Sequence, residues 1–282
     1  MRSQVSLRVG RICYLNCLPF FFRLPELFSS NGAETRVDFF QSHPAAINEA
    51  MQKGEIDAAP VSALEYFQRQ NDYLLLSELA IGTRLFARSV LLLSHKKIEE
   101  LDGAKVALSR ESLSSAGLLR ILLKKRYGHN NTFEVADQDP EVMLRNYPAA
   151  LVIGDQALFC QPKELIYKYD LGESWYTWTG KPFVFALWAV RKDFAAKHPG
   201  PIRSFCALLK ETLLDNLANL ENILEHSFGI TPSDKRFCQT IGYLVNLQYQ
   251  LDKTMKEGVE HFFELAHAEG LTPAPQPLRF FE

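Results

Sequence analysis

Asparagine, serine and arginine side chains standing where a strand gives way to a loop or a helix are the residues of this 282-residue chain best suited to hold a small anion. Asn16 follows an alternating apolar stretch, Leu7, Val9, Ile12 and Tyr14, that predicts a strand over residues 6–14. Pro19 suits the first turn of the next helix, expected over 19–30, because its missing N–H costs nothing there. An amide at this place can meet a ligand, as open α/β sheets allow, or simply hold the turn. Ser62 ends a short strand expected over 57–62. Ser112, Ser114 and Ser115 lie before or within the first turn of an amphipathic helix expected over 112–127. Hydroxyls beside the free N–H groups of a helix start bind carboxylate or phosphate without a full positive charge, although one serine there is explained by capping.

Arg84, Arg88 and Ser89 fall between two strand-like stretches, 73–81 and 89–95. A guanidinium in such a crossing could grip a carboxylate bidentately or pair with a surface acid. Asp155, after the apolar run 149–154, is either a site acid or a helix cap. His43, before Pro44, is the obvious general base near neutral pH, or else a turn residue. The five cysteines, at 13, 17, 160, 206 and 238, have no zinc spacing and read as free thiols. The chain contains no P-loop, dinucleotide fingerprint or nucleophile elbow.

The elements that must position these groups alternate, strand then helix, which predicts an α/β protein with parallel sheets covered on both faces. The crossing near 82–88 interrupts the alternation, which resumes at 105. A long apolar run over 183–191 can leave the second unit again, and the remainder is helical. Two lobes with a cleft between them follow: residues 1–92 plus 190–282, and residues 93–189. The net charge of −2 gives no electrostatic grip on nucleic acid or an anionic membrane. No segment approaches the roughly 18 consecutive apolar residues of a membrane span, and the first residues resemble no export signal, so a cytoplasmic protein is expected.

Several segments together resemble the MqnA family. They are Arg11-Ile12-Cys13-Tyr14-Leu15-Asn16 with Pro19, Gly54-Glu55-Ile56-Asp57, Ser62-Ala63-Leu64-Glu65-Tyr66 and Arg88-Ser89-Val90-Leu91-Leu92. Ile153-Gly154-Asp155-Gln156-Ala157, Asp170-Leu171-Gly172 with Trp175, and the run from Thr179 to Ala186 complete the set. The resemblance implies a type II periplasmic-binding-protein-like fold, two lobes joined by a two-stranded hinge. It also implies dehydration of chorismate to 3-[(1-carboxyvinyl)oxy]benzoate in the futalosine route to menaquinone, with no metal and no organic cofactor. Asn16 and Ser89 match the family's site residues: the amide would hydrogen-bond the reacting face, and the serine would hold a carboxylate or assist the leaving hydroxyl. Ser62, Arg88, Ser112, Ser114, Ser115 and Asp155 are the substrate-binding candidates. The segment from Thr83 to Arg88 is bulkier than the family's turn. Two alternatives stand beside this reading: dihydroxynaphthoate synthase of the same pathway, which relies on a histidine base, and a non-catalytic anion-binding protein.

Overall fold

The computed structural model describes residues 5–30, 35–111, 113–136, 139–161 and 167–282. The chain opens with β1 (Val5–Ile12), a 3-10 turn (Leu15–Cys17), α1 (Leu18–Phe21) and α2 (Leu24–Ser30). Then come β2 (Thr35–Ser42), α3 (Pro44–Lys53), β3 (Ala58–Ser62), α4 (Ala63–Gln68) and β4 (Tyr73–Thr83). The middle of the chain holds β5 (Val90–Ser94), β6 (Lys105–Ser109) and α5 (Leu113–Ile121), which continues into a π-helical turn (Leu122–Arg126). It ends with β7 (Thr132–Ala136), α6 (Pro140–Asn146), β8 (Ala149–Ile153), α7 (Gly154–Phe159), β9 (Tyr167–Asp170) and α8 (Leu171–Thr179). The return is β10 (Phe183–Arg191), α9 (Lys192–Lys197), α10 (Pro199–Ala218), α11 (Leu220–Phe228), α12 (Lys235–Leu244), β11 (Leu247–Gln250), α13 (Lys253–Ala268) and β12 (Phe280–Phe281).

The strands form two sheets. One has the order β11-β4-β10-β3-β1-β2, with β12 on β4; the other has the order β7-β6-β8-β5-β9. β1 runs parallel to β2 and β3, as strand–helix alternation requires, whereas β10 runs antiparallel to β3 and β4. The sheets therefore exchange chain between Thr83 and Val90 and between Thr179 and Phe183. The boundaries expected at 92 and 190 fall inside β5 and β10, because apolar runs mark strands and do not say which sheet pairs them. β3 reads Ala-Ala-Pro-Val-Ser and is small and buried on both faces, being flanked by β1 and β10.

The single helix expected over 19–30 is two helices. Pro25 has no N–H to give to the Phe21 carbonyl and its ring crowds that group, so the helix breaks; Arg23 turns at φ 61°. The break leaves Phe20 and Phe21 packed on Trp188, which is fully buried in the first sheet. Trp175 of α8 is likewise buried, edge-on to Phe183 and Phe262, and its Nε1–H donates to the Pro182 carbonyl at 3.1 Å. Each such ring stabilises the fold by about 1.5–3 kcal/mol and fixes the return crossing against α13. Among the described residues no helix is long and apolar enough to cross a membrane.

Candidate active site

A narrow cavity lies between the lobes. About 80 Å³ of it is open to the centre of a water-sized sphere, several times the roughly 10–15 Å³ that one water needs on that measure. Its polar lining includes Asn16, Ser62, Ser89, Ser114, Ser115 and Tyr243, and it contains no lysine or arginine among the described residues.

Asn16 is held by the 3-10 turn that follows β1. The Cys17 N–H donates to the Tyr14 carbonyl at 3.0 Å, and the Leu15 N–H donates across the lobes to Asp155 Oδ1 at 3.1 Å. Asn16 Oδ1 is buried and has no hydrogen-bond partner among the described residues. An acceptor left in that state costs about 1–3 kcal/mol unless a ligand or water meets it. Asp155 stands behind the turn and does not line the cavity. Burial pushes its carboxyl up to about 6 against the opposing pull of the Leu15 N–H.

Ser89 is placed by the first crossing, and the organiser of that crossing is Asp170. Its carboxylate accepts the N–H groups of Ala87 (2.9 Å) and Arg88 (2.6 Å) while capping α8 through Gly172 and Glu173. The Ser89 carbonyl then accepts the Gly154 N–H at 2.8 Å. The serine is buried, and its Oγ lies 2.9 Å from the Tyr243 hydroxyl. Arg88 turns at φ 59°, which sends its side chain outward over Gly242 and away from the cavity. The carboxylate grip expected from the sequence is not seen in the cavity: Arg88 is exposed and does not line it, whereas Ser89 is buried and does. Arg84 is tied to Asp252 Oδ2 at 2.5 Å and to Thr254.

The serines divide in two. Ser62 Oγ and Ser114 Oγ face each other across the cleft at 2.6 Å, and Ser114 Oγ also accepts the Leu64 N–H at 3.0 Å. Ser114, from one lobe, thus serves the first turn of α4 in the other. Ser115 lines the cavity beside them, and Ser112 lies outside the described residues. At the mouth Glu111 accepts the Tyr14 hydroxyl and lies 3.3 Å from His43 Nδ1. His43 is 60% exposed and precedes α3, more a rim residue than a wall. Gly154, at φ 66°, lies flat under the Tyr14 ring; a Cβ there would come within 2.9 Å of Cζ. Among the described residues no three His, Cys, Asp or Glu side chains gather as metal ligands.

Sequence reasoning missed Tyr243, Glu111 and Asp170 as builders of this site. Asp170 had a signal: Asp-Leu-Gly-Glu, with an acid three residues after a capping aspartate, reads as a helix start. Tyr243 had none, since it reaches the cavity only through the tertiary return of α12.

Comparison with known proteins follows the same lines. Residues 7–268 match the family model described as menaquinone biosynthesis. A chorismate dehydratase of Thermus thermophilus is 29% identical over 251 residues, covering 82% of this chain and 86% of that protein. A chorismate dehydratase of Campylobacter jejuni is 24% identical over 196 residues, 67% and 73% of the two chains. Among solved structures, protein AF1704 of Archaeoglobus fulgidus superposes with a TM-score of 0.77 at 16% identity, over 96% of this chain and all of that one. The periplasmic aliphatic sulphonate binding protein SsuA of Escherichia coli gives 0.68 at 15% identity, over 99% and 93%. The fold is the two-lobe periplasmic-binding-protein fold, and the chain belongs to the menaquinone biosynthesis family.

Proposed function

We propose that the protein is a cytoplasmic chorismate dehydratase, converting chorismate to 3-[(1-carboxyvinyl)oxy]benzoate and water. The observation that carries the reading is the buried Oδ1 of Asn16, unpartnered among the described residues and lining, together with Ser89, a cavity between the lobes. Two relatives that match over most of their length are chorismate dehydratases.

The reaction asks little of the protein beyond position. The ring C3–H is vinylogous to the ring carboxylate. Its bonding pair becomes a ring π bond as the C4–O bond breaks, and the hydroxide that leaves takes up the proton removed from C3, giving water. The product ring is aromatic, so the enzyme need only hold the dianion in a reactive pose, stabilise charge as it develops and exclude solvent. Asn16 Oδ1 accepts a hydrogen bond from the C4 hydroxyl, which keeps its proton and is oriented by that bond, and its Nδ2–H donates to a substrate oxygen. Ser89 donates to the departing oxygen. Ser115 and the first N–H groups of α5 hold a carboxylate with partial charge alone. The substrate's own enolpyruvyl carboxylate takes the C3 proton, which accounts for a wall without histidine.

Incubating the purified protein with chorismate and following the benzoate by mass spectrometry tests the proposal. Product is expected without added metal. Tight chorismate binding with no product over hours would leave an anion-binding protein instead.

A further inference from the structure

The phenol of Tyr243 comes from the last turn of α12 in one lobe and meets the serine of the crossing between the lobes. Its side chain is 1% exposed and lines the cavity, and its hydroxyl lies 2.9 Å from Ser89 Oγ. We propose that Tyr243 is a positioning residue for the dehydration: it donates to Ser89 and thereby aims the serine's one proton at the ligand. The inference rests on the role given to Ser89 above.

Valence counting sets the direction. A serine hydroxyl has one hydrogen and two lone pairs, and a phenol has one hydrogen to place. Among the described residues the Tyr243 hydroxyl bonds to Ser89 Oγ and to nothing else. Among the described residues Ser89 Oγ is the one acceptor within its reach, and donating there keeps the buried O–H paired. Ser89 Oγ also donates to the Ala87 carbonyl, but at 3.4 Å and to an oxygen that already accepts the Ser89 N–H at 2.7 Å, a long bond that a ligand oxygen at ordinary distance displaces. The serine therefore accepts from Tyr243 and keeps its hydrogen for the cavity. Burial also pushes the phenol well above its ordinary range, with Asp155 and Cys17 nearby adding to the effect, so it remains a donor at physiological pH. Accepting a hydrogen bond polarises the serine and makes its own proton a better donor to a leaving oxygen.

Tyr243→Phe keeps the buried ring and removes only the hydroxyl. With chorismate as substrate, kcat is expected to fall about tenfold or more at nearly constant KM. The double variant Ser89→Ala/Tyr243→Phe is expected to be no slower than Ser89→Ala alone, because the tyrosine acts through the serine. Wild-type kcat in Tyr243→Phe overturns the proposal, as does a loss that multiplies fully with that of Ser89→Ala. If Tyr243→Phe does not fold, 3-fluorotyrosine at 243 keeps the shape and changes the phenol's acidity; an unchanged kcat then overturns it. Failure of the wild-type protein to turn over chorismate is a separate result and strikes the functional reading itself.

Discussion

Two pairs of polar groups meet at the cavity, and they are bonded differently. Ser62 and Ser114 bond to each other across the cleft, and Ser114 also accepts the Leu64 N–H. Asn16 and Ser89 are each fixed from behind, by Asp155 through the neighbouring Leu15 N–H and by Asp170 through the crossing, and each keeps a valence toward the interior. The same class of neutral side chain therefore does two jobs in one small space. The first pair reports that the lobes are shut; the second is left for whatever they shut upon.

The sharpest way to test that division is to remove one member of each pair. Ser89→Ala is expected to lower kcat by about 10²–10³-fold with native stability, as loss of a donor aimed at developing charge does; an unchanged kcat removes the serine from the chemistry. Ser114→Ala leaves the Leu64 N–H and Ser62 without a partner only when the lobes are closed. Steady-state kinetics should show KM rising about tenfold while kcat changes less, and an equal fall in kcat would merge the two pairs into one.

A smaller effect belongs to Asp155, which braces the Asn16 turn but is a reluctant anion. Its raised carboxyl means that the native chain binds this proton more tightly than the unfolded chain does. Stability is accordingly lost as pH rises from the ordinary carboxylate range to about 6, and is level above that. Asp155→Asn can still accept from Leu15. Chemical denaturation at pH 7 should find it more stable by about 1 kcal/mol, the relieved desolvation being partly offset by a weaker hydrogen bond, and should find that slope gone. A variant with the wild-type slope would assign the titration elsewhere.

Much of this was legible in the chain. The placement of Asn16 after a first strand, the helix start at Ser114 and the two crossings follow from alternation, Pro19 and the apolar run 183–191. What stayed hidden was tertiary. Ser62 and Ser114 both look like ligand groups in sequence, and only their 2.6 Å approach makes them partners of each other. Arg88 looks like an anion grip until the backbone turns to φ 59° and points it outward. The sheet boundaries missed by a few residues because hydrophobicity marks a strand without naming its neighbours. Tyr243 lies 154 residues from Ser89, a separation that no local pattern spans.

The missing side chain at Gly154 has a practical consequence. A tyrosine ring from one half of the molecule rests where any larger residue would sit, so even a methyl group there would act as a doorstop. Family members with a bulkier residue at this position would have to reroute that ring. In this chain Gly154→Ala offers a handle for propping the halves ajar and studying ligand capture apart from turnover.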